Sequence, residues 1–350
     1  SSYDDIVGSS EQPGRDYMVS LPCKIAESVI AAYEKRTEST AKYGADSESQ
    51  IGFNRRFWMK DGTVGWNPGK LNPNIIRAAG PIDPEVAVVQ FDTGDQDPAL
   101  TYVSFAMHPD TTGGELVSAD YPGALGRCLA LVYGDEMMTI FANGTCGDIN
   151  HINVNWGGRQ KGPEEANRLG TILAAGVLRA AMKLKPLDST KIAAINTVVE
   201  LPLAPYTEQD LAEAKEIVAQ GSKAAFLEQV KARRVIDVAA REGKPVEAEV
   251  QVITLGDDIA WVALPGEIFV DLGLSIKKAS PFRQTHVIEL ANGSVGYVPN
   301  CSAYAQGQYE VISARVDRGS GEKLVTAAID LLNELHKTQT ETSDDSQTSP

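Results

Sequence analysis

Two periodicities alternate along this chain. Leu21, Ile25, Val29, Ile30 and Tyr33 recur at helical spacing and predict an amphipathic helix over residues 17–35. Val86, Val88, Val89 and Phe91, then Tyr102, Val103 and Phe105, follow the pattern of buried strands at 85–91 and 100–107. A helix at 121–133 and an apolar strand at 138–142 come next. Pro163-Glu164-Glu165 opens a long helix to about residue 184, its acidic start and its end at Lys183 and Lys185 suiting the helix dipole. After a strand at 191–201, charged helices at 207–219 and 223–242 break the rhythm, which predicts a small solvated helical insertion at about 206–243. Runs at 246–255 and 260–264, closed by Gly256-Asp257-Asp258, read as a hairpin. A helix after Pro265-Gly266, a strand at 286–290 and a helix at 321–335 complete the pattern. Alternating strands and helices predict α/β, and the hairpin makes the sheet mixed: a mixed β-sheet core flanked by helices, in one domain over 1–337.

Two stretches lack either period. Residues 50–84, rich in Gly, Pro, Asn, Trp and Arg, read as a long ordered loop of the kind that carries function. Residues 338–350, rich in Ser, Thr, Asp and Gln, are expected to be a disordered tail.

Charge narrows the partners. A formal net charge of −15 argues against nucleic acid and anionic membrane surfaces. No apolar run reaches the roughly 20 residues needed to cross a bilayer. The start, Ser1-Ser2-Tyr3-Asp4-Asp5, has neither the basic nor the apolar part of a signal peptide and no initiator Met, so processing or truncation accounts for it. Cys23, Cys128, Cys146 and Cys301 include no CxxC pair, which argues against a zinc finger; two disulfides or buried thiols both remain open. Oligomeric state is not legible.

Candidate chemistry gathers at strand ends. His336 reads as a surface residue and His286 as structural. His108 stands where a strand runs into Pro109-Asp110-Thr111-Thr112-Gly113-Gly114, and the carboxyl ends of strands are where α/β proteins gather ligands. A satisfied strand-end histidine is the alternative. His151 closes a second loop of this kind, Gly144-Thr145-Cys146-Gly147-Asp148-Ile149-Asn150-His151, which suggests one shared cleft. Glu267, after Leu264-Pro265-Gly266, serves either as a helix-start acid or as a hard oxygen ligand suited to zinc.

Taken together, Asn54-Arg55-Arg56, His108 with its Gly-Gly turn, Gly147-Asp148, Pro265-Gly266-Glu267, and Gly296-Tyr297-Val298 followed by Tyr309-Glu310 resemble the neutral/alkaline (non-lysosomal) ceramidase family, above all its shorter bacterial relatives. The likeness runs over about residues 17–335, and Tyr309 follows Tyr297 at the family's spacing of twelve. The resemblance implies His108, Glu267 and Tyr297 as ligands of Zn²⁺, Tyr309 beside the scissile carbonyl, and Arg55 holding a substrate oxygen. It also implies an exported protein of sphingolipid metabolism. Without it, Tyr297 and Tyr309 would read as packing aromatics.

Two departures shape the expected chemistry. The family's further zinc histidine belongs to an upstream His-Thr-His-Ser-Gly-Pro-like segment that this sequence does not contain, which reads as a chain truncated at its N-terminus with three ligands left; His151 is a candidate substitute. Asn150 stands where the family has the serine proposed as nucleophile, and a carboxamide cannot attack. The resulting expectation is a zinc-dependent amidohydrolase using metal-activated water, with His151 as proton shuttle, on ceramide or another N-acyl lipid. Alternatives are a zinc hydrolase of another ester or small polar amide, and a non-catalytic binding protein that retains the fold. Phe57, Trp58 and Trp66 could line an acyl groove or a sugar site, or simply pack.

Overall fold

The computed structural model describes residues 12–94, 96–114 and 117–347. The chain enters through α1 (Gln12–Glu34), whose apolar residues, among them Val29 and Tyr33, are exposed. Alternation within the strands then dictates two stacked sheets. In β1 (Ser39–Ser47), β2 (Glu85–Thr93), β3 (Gln96–Phe105), β4 (Met138–Asn143) and β5 (Lys185–Pro186), the spatial order is β5-β1-β2-β3-β4. All pairs are antiparallel except β3 with β4. Val86 and Val88 face one way, into a core shared with Leu125, Leu129, Leu169 and Leu173 of α2 (Asp120–Tyr133) and α3 (Pro163–Ala181). Val89 faces the other way and packs with Tyr43, Tyr102, Leu255 and Ile259. Each such leucine contributes roughly 1.5–3 kcal/mol by burial.

The second sheet holds β6 (Ile192–Leu201), β7 (Val246–Leu255), β8 (Ile259–Ala263) and β9 (Gln284–Ile288) in sequential order, with only β8 and β9 parallel. Leu255 and Ile259, from its hairpin, meet the first sheet. The insertion between β6 and β7 is a helical pair, α4 (Glu208–Gln220) and α5 (Phe226–Ala239), with a small core of its own around Ala214, Ala232 and Val235. Across the sheet's far face, Val250, Val252 and Val262 pack on Leu272 and Ile276 of α6 (Val270–Ala279) and on Leu324 and Leu332 of α7 (Ser320–Gln347). The mixed α/β architecture expected from the sequence is therefore realised as two sheets between two helical layers.

Two local differences have physical causes, and His286 proves structural as expected. Within the expected loop at 50–84, Arg56–Met59 pairs with Val64–Trp66 and Ile75–Ala78 in a three-stranded sheet too short to leave a period in the sequence. The final helix does not stop before residue 338 but runs through Gln347, with Gln339 buried and hydrogen-bonded to Thr254 at 2.8 Å; residues 348–350 lie outside the description. His286 is fully buried, stacked on Trp261 and edge-on to Tyr102, with neither ring nitrogen hydrogen-bonded, and burial pushes its pKa down to about 3.

Candidate functional site

Parallel pairing creates the site. Because β3 runs with β4 and β8 with β9, the carboxyl ends of each pair lie together. A bridge between Gly144 and Ile288, and the Glu289 N–H to Asn143 carbonyl bond of 3.1 Å, join the two edges. Four post-strand loops therefore converge, bringing His108, the 144–151 loop, Glu267 and Tyr297 together. Sequence reading found this rule for two of the loops and missed the residue that ties three of them. Glu289, the acid just after β9, accepts hydrogen bonds from the Cys146 N–H at 3.0 Å, the Ile268 N–H at 2.9 Å and the Cys146 thiol at 2.9 Å. Burial raises its pKa to about 7. A carboxylate inside an apolar strand signal was the clue available.

The 144–151 loop is fixed from both sides. Gly147 donates to the Ile268 carbonyl at 2.8 Å, and a Cβ at this position would sit 2.5 Å from the Glu267 carbonyl oxygen, so only glycine fits. Asp148 accepts from the Val270 N–H at 2.9 Å, capping α6 across the interface, and from Asn54 at 2.7 Å; burial lifts its pKa to about 6.

Within this frame three oxygen and nitrogen donors meet. His108 Nδ1 donates to the Ile149 carbonyl at 2.8 Å, which turns Nε2 toward Glu267 Oε2 at 3.0 Å and the Tyr297 hydroxyl at 3.4 Å. Burial alone would lower the His108 pKa and raise that of Glu267. Burial is the largest single influence, but the mutual hydrogen bond together with the surrounding charges, and for Glu267 the Tyr297 hydroxyl, outweighs it, so the imidazole is held above and the carboxyl below its ordinary range. Glu267 and Tyr297 are also register partners in a two-residue parallel bridge. Burial pushes the Tyr297 phenol well above its ordinary value; Arg55 opposes this and the Glu267 carboxylate adds to it.

Arg55 stands behind Tyr297. Its Nη2 donates to the Tyr297 hydroxyl at 3.1 Å and the Gly147 carbonyl at 2.8 Å, and its Nε to Glu310 at 2.8 Å. Arg56 Nη1 takes the other Glu310 oxygen at 2.7 Å, so one fully buried carboxylate holds two buried guanidinium groups. Through Nε and Nη2 the Arg55 guanidinium orients Tyr297 and the 144–151 loop.

Glu267 and Tyr297 line a cavity of about 290 Å³ together with Tyr309, Phe226, Arg234 and Arg315. Tyr309 lies edge-on to Tyr297 at 5.3 Å and is stacked on Trp66 at 4.7 Å and Phe226 at 5.8 Å. Burial raises its pKa, so it stands as a neutral phenol. Trp66 alone of the three aromatics singled out from the sequence reaches the site; Phe57 is buried and Trp58 lies under Arg77.

Two expected participants are occupied elsewhere. His151 Nε2 faces the Gln160 carbonyl at 2.9 Å, which only accepts, and Nδ1 faces Asp110 at 3.0 Å. Burial would lower its pKa, but Asp110 keeps it above the ordinary value, and an acceptor oxygen faces each ring nitrogen. The ring lines a separate cavity of about 540 Å³ with Asn67, Asp110 and Asn150. Asn150 donates to Asn67 at 3.0 Å and accepts from the Ile152 N–H at 3.0 Å, a turn-stabilising role.

The donor set bears on metal binding. No group of three or more His, Cys, Asp or Glu side chains placed to hold a metal occurs among the described residues; His108 and Glu267 reach three donors only with the Tyr297 phenol. A tetrahedron with bonds to zinc of about 2.0–2.2 Å has edges of about 3.3–3.6 Å, so the 3.4 Å separation matches it, while the 3.0 Å one is a hydrogen-bond distance that must widen by a few tenths of an ångström. The Nδ1–carbonyl bond is the outer contact that fixes a ligating imidazole. The residues fit a zinc ion.

The paired mixed sheets share their fold with solved neutral ceramidases. The neutral ceramidase from Pseudomonas aeruginosa aligns with a TM-score of 0.66 and 18% identity, covering 90% of this chain and 55% of that one. A structure described as ceramidase complexed with C2 aligns with a TM-score of 0.61 and 15% identity, covering 86% and 54%. The chain spans about half the length of these proteins. No protein-family model matches the sequence, and no curated protein does. Among the described residues no helix is long and apolar enough to cross a membrane.

Proposed function

We propose that this protein is a zinc-dependent hydrolase that cleaves an amide bond in an N-acyl lipid, ceramide being the model substrate. The observation that carries this reading is the meeting of His108 Nε2, Glu267 Oε2 and the Tyr297 hydroxyl within 3.0 and 3.4 Å, with Glu267 and Tyr297 on the wall of a cavity beside Tyr309. The fold shared with solved ceramidases supports it. His108, Glu267 and Tyr297 would hold the ion, which when bound supplies Lewis acidity and brings the pKa of water toward about 7.

The remaining roles belong to the chain. Tyr309, a neutral phenol fixed by stacking on Trp66 and Phe226, donates a hydrogen bond to the amide carbonyl oxygen, where negative charge develops. Arg55 keeps the Tyr297 hydroxyl in place and its positive charge opposes the rise in that phenol's pKa. The aromatic trio also excludes water from one side of the cavity. Asn150, committed to Asn67 and Ile152, supplies no nucleophile, so water attacks. His151 is engaged at both ring nitrogens, by Asp110 and the Gln160 carbonyl, and lines the other cavity, so this reading gives it no part in proton transfer here. An extracytoplasmic location goes with this reading.

The test is to dialyse the purified protein against zinc, measure bound metal, and assay release of fatty acid from a short-chain ceramide and from simpler N-acyl amides. One zinc per chain with hydrolysis of at least one amide is expected. The His108–Glu267 contact is also a good hydrogen-bonded ion pair without metal, which favours a binding protein as the second reading. Substoichiometric zinc and no hydrolysis would establish that reading instead.

A further inference from the structure

We propose that Arg233 and Arg234 of α5 form an anion subsite in this cavity, and that the amide it takes carries a carboxylate, sulfate or phosphate on one arm. Both arginines line the cavity that Glu267, Tyr297 and Tyr309 share. The other charged groups there are matched: Arg315 pairs with Asp237, and Glu267 with His108. Among the described residues neither Arg233 nor Arg234 has an ion-pair partner. Arg234 makes one long contact, 3.4 Å, to the Pro205 carbonyl, and its Nε is buried with no hydrogen-bond partner. The acid that acts on it from the neighbouring helix, Asp210, is engaged by Lys231 at 3.2 Å and by the Thr207 cap.

This arrangement is costly unless something answers it. Arg234, a half-buried guanidinium without a counter-charge, loses hydration and gains nothing in return, whereas Arg233 beside it is exposed and keeps its water. The chain has 47 acidic residues against 32 basic ones, yet the two carboxylates that line this cavity, Asp237 and Glu267, are engaged by Arg315 and His108 rather than by Arg234. Burial correspondingly lowers the affinity of Arg234 for its own proton. Nor is the wall loosely held. Ala232 and Val235 anchor α5 in the insertion's own core, and Phe226 at its start stacks on Trp66 and Tyr309. The guanidinium fork suits carboxylate, sulfate and phosphate alike. Ceramide, having no charge, would leave Arg234 unanswered. The inference rests on the proposed hydrolase only for calling the ligand a substrate; the binding preference stands apart from turnover.

The experiment measures affinity by calorimetry on the full chain. The probes are N-hexanoylglycine and N-hexanoyl-γ-aminobutyrate, each against its uncharged terminal carboxamide, at low and high salt. At least one acid is expected to bind about tenfold or more tighter than its carboxamide at low salt, as charge-assisted hydrogen bonds allow. High salt should shrink that ratio. In the double variant Arg233→Gln, Arg234→Gln the ratio should fall toward one, and Arg234→Lys alone should retain part of it. Equal affinity of both pairs, or a ratio that survives the double variant, overturns the proposal. Should the double variant not fold, a salt-insensitive ratio in the unmodified protein overturns it equally. Assaying the same four compounds for amine release separates the two claims. A preference without any turnover sinks the hydrolase and keeps the subsite, whereas turnover without preference does the reverse.

Discussion

Glu267 and Tyr297 are paired, residue against residue, in a parallel bridge only two residues long, and both side chains point at the same imidazole nitrogen. A main-chain pairing thus sets the spacing of two donors that lie thirty positions apart in sequence. The pairing fixes the two backbone positions, and the Glu267–His108 and Arg55–Tyr297 hydrogen bonds hold the side chains.

Removing the charge from that pair should be decisive. Glu267→Gln is expected to lower zinc affinity by about tenfold or more and to abolish amide hydrolysis, since a carboxamide is a poor ligand for zinc. Metal content after equilibrium dialysis, read beside the hydrolysis rate, checks this. Full zinc occupancy with normal turnover would remove Glu267 from the site.

Tyr309 offers the complementary case. Loss of its hydroxyl in Tyr309→Phe leaves the stack on Trp66 and Phe226 and all three donors untouched. Turnover should fall by roughly 10²–10³, the cost of one oxyanion donor, with metal content unchanged. A variant that loses zinc would show that the hydroxyl supports the ligands instead.

The buried carboxylate behind the site governs stability. Glu310→Gln leaves Arg55 and Arg56 buried without a counter-charge. Breaking a buried pair in this way costs about 3–5 kcal/mol, measurable as a drop in the denaturant midpoint. An unchanged midpoint would mean that water reaches these guanidinium groups.

Acid should act through His286, far from the donor cluster. Its pKa is about 3 when folded, against an ordinary 6.5, so protons bind the unfolded chain first. The stability it contributes is complete above pH 6.5 and is lost progressively as pH falls toward 3. At pH 5 the loss from this one group is about 2 kcal/mol. Unfolding at pH 7 and pH 5 should therefore show a smaller acid effect in His286→Phe than in the unmodified protein, and equal effects would contradict the burial argument.

Much of the architecture was legible because it is local. Val86, Val88 and Val89, or the Gly256-Asp257-Asp258 turn, declare strand and hairpin through nearest neighbours in the chain. His108 and Glu267 could be singled out on the same basis, as polar residues at the ends of apolar strands. Glu289 gave the same signal but was hidden inside the strand prediction. His151 and Asn150 had the right loop and the wrong environment, since their partners Asp110, Gln160 and Asn67 come from elsewhere in the fold.

By itself the sequence determined the order of the longer helices and, from residue 85 onward, of the longer strands, but not β1 or the short strands near residues 56–78, together with the helical insertion and the set of loops in which chemistry could sit, because periodicity and turn residues act over a few positions. Only the tertiary structure decided which strands run parallel, and hence which loop ends meet. It also decided that Arg55 serves Tyr297 and that the insertion turns two arginines into the cavity. These outcomes depend on contacts across tens to hundreds of residues, where distance in the chain carries no information about distance in space.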